Sequence, residues 1–112
     1  MTVIALLQLD PTVGDISGNV AIVEAAAAMA AEAGADMAVA SELVISGYPP
    51  RDMLMDATFV NACEMAAMAV NSRIPLLIGT PLTAGKDRPK PYNGVVRVAD
   101  DRTPKGVGRN QL

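Results

Sequence analysis

The sequence predicts an α/β fold: a sheet that is mostly parallel at its start, in the order β-α-β-α-β, followed by a β-hairpin. Two observations carry this reading. Short apolar runs alternate with longer segments of helical periodicity, the pattern of strands joined by crossover helices. The strand candidates are also nearly all apolar, with little alternation, as parallel strands covered on both faces are.

Val3–Leu9 (VIALLQL) is an apolar run stopped by Asp10-Pro11, which predicts a buried strand. Residues 11–18 hold two glycines and a proline and predict a loop. Asn19–Ala33 is alanine-rich without internal Gly or Pro. There Val20, Val23, Ala27 and Ala30 recur at helical spacing, and Gly34 stands where a helix terminator belongs. Met37–Ala40 is the second buried strand, with Ser41-Glu42 directly after it. Ser46–Pro50 is turn-rich. A second helix is expected from about Asp56 to Ser72, with Phe59, Cys63, Ala67 and Val70 on one face. Leu76–Ile78 predicts a third strand closing at Gly79, and Thr80–Pro91, with three prolines and four charges, predicts a solvated loop. Tyr92–Ala99 reads as a strand, Asp100–Arg102 as a turn, and Thr103–Val107 as the hairpin partner.

Composition narrows the function. The 112 residues are 51% hydrophobic and 19% charged, which describes one globular domain or a piece of one. The net charge is −3, the nine Lys and Arg are scattered, and aromatics are 3%, so nucleic acid is excluded as a partner. One cysteine and no histidine exclude a disulfide framework and a metal cluster, and fit a reducing, cytoplasmic setting. The N-terminus lacks a basic leader, and the apolar runs are too short to span a bilayer, so no membrane partner is expected.

Functional groups of open α/β sheets gather at the carboxyl ends of strands. Glu42 lies there, between apolar segments where an unpaired carboxylate is costly to bury. It is either a working group or a loop glutamate facing water. Cys63 lies on the apolar stripe of the second helix and reads as inert core. Met29, Met65 and Met68 read as core filler. Gly79–Lys86 (GTPLTAGK) fails as a phosphate-binding loop, because five residues separate its glycines and Asp87 follows the lysine.

Four blocks make the chain resemble the glutaminase domain of glutamine-dependent NAD⁺ synthetases, in the nitrilase superfamily of carbon–nitrogen hydrolases. They are ALLQLDPTVGDISGN at 5–19, SELVISGYPPRDML at 41–54, LLIGTP at 76–81 and YNGVV at 92–96. The resemblance implies the front half of an α-β-β-α sandwich and a Glu-Lys-Cys triad. Glu42 matches the general base, and Tyr48 matches a tyrosine that shapes the glutamine pocket. The cysteine of the triad would attack the side-chain amide of glutamine and release ammonia. This domain would need no cofactor. ATP and Mg²⁺ would serve only the synthetase domain, which is absent here.

Two departures qualify the resemblance. The family lysine position, counted from Tyr92-Asn93, is Arg109, either a weak substitute or a surface arginine. The nucleophilic cysteine falls beyond Leu112, so the chain is expected to be a truncated domain, inactive by itself. Half of a sandwich would expose one apolar sheet face, which implies an oligomer or dependence on a partner segment. The mean hydropathy of +0.29 agrees with this. The alternatives are a non-catalytic α/β interaction module, or part of another nitrilase-type amidase.

Overall fold

The computed structural model describes residues 1–48, 53, 56–83 and 91–98, together with the backbone of 106–111. Five strands form one sheet in chain order. β1 (Ile4–Leu7) lies parallel to β2 (Met37–Ala40), which lies parallel to β3 (Leu76–Leu82). β4 (Tyr92–Val98) and β5 (Gly106–Gln111) extend the sheet antiparallel. α1 (Ile16–Glu32) joins β1 to β2, and α2 (Ala57–Met68) joins β2 to β3. The sheet grows in one direction, so two crossovers of the same hand put both helices on one face, in contact with each other.

The core lies between that face and the helices. Val23 and Ala27 of α1 and Cys63 and Ala67 of α2 meet Ala38, Leu76, Ile78, Val96 and Val98 of the sheet, all buried. The stripe predicted for α1 therefore faces the core. On α2, Cys63 and Ala67 of the predicted stripe face the core and Phe59 packs half-buried against its edge, while Val60 is buried outside that cluster.

Local signals account for most boundaries, and for the misplaced ones. α1 starts at Ile16, not Asn19, because the Asp15 carboxylate caps it by accepting from the Gly18 N–H at 3.1 Å. The glycine at position 18 disguises this first turn in the sequence. Gly34 ends the helix with φ +96°. α2 is capped by Asp56 and ends four residues earlier than Ser72. β3 does not close at Gly79 but runs on through Thr80 and Pro81 to Leu82, all buried. The ladder from β2 reaches only Leu76 and Leu77, so beyond them β3 is paired on one side, where a strand tolerates Pro81. Glu64 of α2 then takes both the N–H and the hydroxyl of Thr83, at 2.7 and 2.9 Å. β5 lies at Gly106–Gln111, later than the expected 103–107. The expected turn at 100–102 falls outside the described residues.

The sheet's other face is mostly apolar, with Arg97 and Asn93 among its residues, and part of it is exposed. Ile4, Leu6, Met37, Val39, Leu77 and Val95 share it by register. Leu6 is 74% exposed, Ile4 51% and Val95 40%. β1 is therefore not buried on both sides, as its sequence suggested. Met29 and Met65 are also exposed, at 71% and 59%, on the outer surface of the helices, and only Met68 packs against the core. Alanine-rich helices this close to the sheet fill their inner faces with small residues, which leaves the longer methionines outside.

One polar side chain is fully buried at the junction of two loops. Asn19 accepts from the Thr12 N–H at 2.8 Å and donates to the Thr12 and Ile45 carbonyls at 2.8 and 2.9 Å. It ties the β1–α1 loop to the segment after β2. Gly14 N–H donates to the Ser46 carbonyl at 2.9 Å across the same seam, and Gly47, at φ +82°, abuts the backbone of Val13.

Asn19→Ala leaves the Thr12 N–H and the Ile45 carbonyl without partners, whereas the Thr12 carbonyl keeps its bond from the Asp15 N–H; the expected loss in a urea melt is about 2–4 kcal/mol. Leu6→Glu places a charge on the open face without disturbing the core. The variant is expected to shift the chain toward monomer in sedimentation velocity relative to the wild type.

Candidate active site

The site is built where β2 ends. After Ala40 the chain leaves the sheet plane through Ser41 and Glu42, and it returns at Ile45, whose N–H donates to the Gly79 carbonyl of β3 at 3.3 Å. Leu43 makes the return possible with φ +53°, a left-handed conformation that costs a non-glycine residue about 1 kcal/mol or more. Burial of Leu43, Val44 and Ile45 offsets that cost. Ser46 secures the turn by donating its hydroxyl to the Leu43 carbonyl at 3.2 Å.

The excursion passes directly over Gly79. A Cβ at this position would lie 2.3 Å from the Ser41 carbonyl oxygen and 2.8 Å from the Glu42 Cα. Its neighbours Ile78 and Thr80 are buried, Ile78 in the core beneath the helices, so the missing Cβ of Gly79 points to the opposite face. Glu42 therefore stands above the open face of the sheet, at the carboxyl end of the parallel strands.

A cavity of about 350 Å³ opens there, lined by Leu9, Asp10, Pro11, Ser41, Glu42 and Tyr48. Its walls are the two loops that Asn19 ties together. Glu42 is exposed, as a loop glutamate facing water would be, although apolar segments flank it in the sequence. The physical reason is the turn at Leu43, which sends the apolar residues inward and leaves the carboxylate outside. Asn93 of β4 donates its side-chain Nδ2–H to Oε1 of Glu42. Asn93 pairs with Pro81 in the ladder and so shares the face of Gly79.

Glu42 and Tyr48, the two residues matched to the family's base and pocket tyrosine, line one cavity. Arg109 reaches the same end of the sheet through its backbone, opposite Gly94 and one step from Asn110, which faces Asn93. Its side chain lies outside the described residues. Three contributors escaped the sequence reading. Asp10 looked like a strand stop, Gly79 like a strand end, and Asn93 had no local signal at all.

Cys63 is not part of the site. It is fully buried beneath the sheet, and burial pushes its thiol up to about 12. A thiol held neutral in this way is a poor nucleophile at neutral pH.

The carbon–nitrogen hydrolase family model matches residues 3–110. The chain belongs to the carbon–nitrogen hydrolase family. Its relatives include the glutamine-dependent NAD(+) synthetase of Synechocystis sp., 38% identical over 84 residues, and that of Xanthomonas campestris pv. campestris, 41% identical over 86. The matches cover 71% and 73% of this chain but only 15% and 16% of those proteins. Among solved structures, a glutamine-dependent NAD(+) synthetase from Cytophaga hutchinsonii superposes over 100% of this chain and 19% of its own length, with a TM-score of 0.78 and 24% identity. A variant of the Nesterenkonia AN1 amidase from the nitrilase superfamily does so over 97% of this chain and 43% of its own, with a TM-score of 0.80 and 24% identity. The fold is that of a partial nitrilase-type α-β-β-α sandwich. Within the described residues, no helix is long and apolar enough to cross a membrane.

Gly79→Ala drives a methyl group into backbone atoms that cannot rotate away. The expected loss is roughly 1–3 kcal/mol in a denaturant melt, with the amide resonances of 41–45 displaced most. Cys63 gives a pH dependence of defined sign. The unfolded thiol ionises near its ordinary 9.0, whereas the folded thiol holds its proton to about 12. Unfolding therefore releases a proton between these values. Stability is expected to fall over that window by at most about 1.4 kcal/mol per pH unit. Cys63→Ala should remove that slope in urea melts run across the same range.

Proposed function

We propose that this chain supplies the base carboxylate and one wall of the amide pocket in a glutamine-hydrolysing site, and that the site serves a glutamine-dependent NAD⁺ synthetase. One observation carries the reading. Glu42 stands over the open sheet face on the rim of a cavity it shares with Tyr48, in a chain 38–41% identical to such synthetases over most of its length. Glutamine is the ligand this reading assigns to the cavity.

The chemistry follows from the groups. A carboxylate oxygen of Glu42 takes the proton of a cysteine thiol. The thiolate attacks the side-chain amide carbon of glutamine, and the tetrahedral intermediate collapses to a thioester as Glu42 returns its proton to the leaving nitrogen, which departs as ammonia. Water then hydrolyses the thioester to glutamate. The thiol is not among residues 1–112, because Cys63 is sealed beneath the sheet. It has to approach Glu42 from the open side, where nothing in the described residues obstructs it. The exposure of Glu42 belongs to the same picture, since the residues that would dry the carboxylate arrive with the partner segment. The proposed steps use side chains alone and need no cofactor from this chain.

A chimera tests the reading. Residues 1–112 are to replace the matching segment of the Synechocystis synthetase, and ammonia release from glutamine is measured. The chimera should release ammonia, and Glu42→Gln within it should lower kcat by about 10²–10⁴-fold. The isolated 112-residue chain should release none. Full activity of the Glu42→Gln chimera would remove the proposed role of Glu42.

A further inference from the structure

We propose that Asn93 is a positioning residue for Glu42: its side-chain amide engages Oε1, which leaves Oε2 as the oxygen that accepts a proton. This rests on the reading of Glu42 as a base. Glu42 stands on a loop, exposed and rich in rotamers, and a base in that state spends much of its time in unproductive orientations. Asn93 stands on β4, fixed by the ladder to β3 opposite Pro81. The hydrogen bond from Asn93 to Glu42 therefore runs from a ladder-paired strand to an exposed side chain on a loop, 51 residues away in sequence.

The chemistry of the pair fixes its polarity. An ionised carboxylate only accepts, so the asparagine must present its NH₂ and not its carbonyl. The donor is neutral and adds no charge that would compete with an incoming thiol. Its bond to Oε1 persists whether Oε2 is bare or has just taken a proton. Asn93 can thus hold the base through proton transfer without joining it. Gly79 completes the arrangement from beneath, because a side chain there would lift the Glu42 backbone out of reach of β4.

Nuclear magnetic resonance on the 112-residue chain tests the anchor independently of catalysis. In the wild type, one Asn93 Nδ2 proton should resonate downfield of its geminal partner, and Glu42 should show Hα–Hβ couplings of a single rotamer. Glu42→Ala should remove the downfield shift. Asn93→Asp keeps the side-chain shape but loses the donor, and Asn93→Ala loses both. In each, the Glu42 couplings should collapse to the averaged value of a free side chain, while the remaining amide spectrum stays in place. A role in packing alone would spare Asn93→Asp or disturb the spectrum throughout β3 and β4. Unchanged Glu42 couplings in Asn93→Asp, or an Asn93 signal indifferent to Glu42→Ala, would overturn the proposal. Failure of the chimera to need Glu42 would instead overturn the base assignment and leave the couplings as measured.

Discussion

A single buried amide organises the functional end of this molecule. Asn19, in the first turns of α1, satisfies the N–H and carbonyl of Thr12 and the carbonyl of Ile45. Those groups belong to two loops far apart in sequence, and neither has a regular ladder to hold it. An asparagine suits this role because its side chain offers a donor and an acceptor in the same geometry as a peptide group. Buried in a dry seam, the bonds are strong and their loss is costly. The cavity wall at Leu9–Pro11 and the wall at Ser41–Tyr48 keep their distance because of it.

The second constraint is steric. A segment leaving β2 can cross above β3 only where β3 has no side chain on that face, and Gly79 provides the gap. The crossing puts Glu42 on the open face and brings it to Asn93. A short polar contact, a missing Cβ and a left-handed leucine thus converge on one carboxylate. The strain at Leu43 is local and is offset by the burial of three apolar residues around it. Backbone strain next to a functional group is a common feature of sites, since the geometry chemistry needs is seldom the most relaxed one.

The two faces of the sheet have opposite fates. The face under the helices is closed by small side chains from alanine-rich α1 and α2, and it buries Cys63 fully, which disfavours its thiolate. The other face presents Ile4, Leu6 and Val95 to solvent and carries the candidate site at its edge. The site and the uncovered apolar surface are therefore one side of the molecule.

The sequence by itself determined the order of elements, the parallel start of the sheet, β2 to the residue, and the placement of Glu42 at a strand's carboxyl end. These are local properties: apolar period, caps, and glycine or proline stops. It could not determine that β3 continues through Gly79 and Pro81, because both residues punctuate chains in isolation and are tolerated only by pairing to β4. Nor could it show that Met29 and Met65 point outward, since an apolar residue on a helix reads as core until its neighbours are known. Asn93 as the partner of Glu42, Asn19 as the tie between loops, and Gly79 as the crossing point each depend on segments 26 to 51 residues apart meeting in space. Contacts of that kind are decided by the packing of strands and helices, and only the tertiary structure contains them.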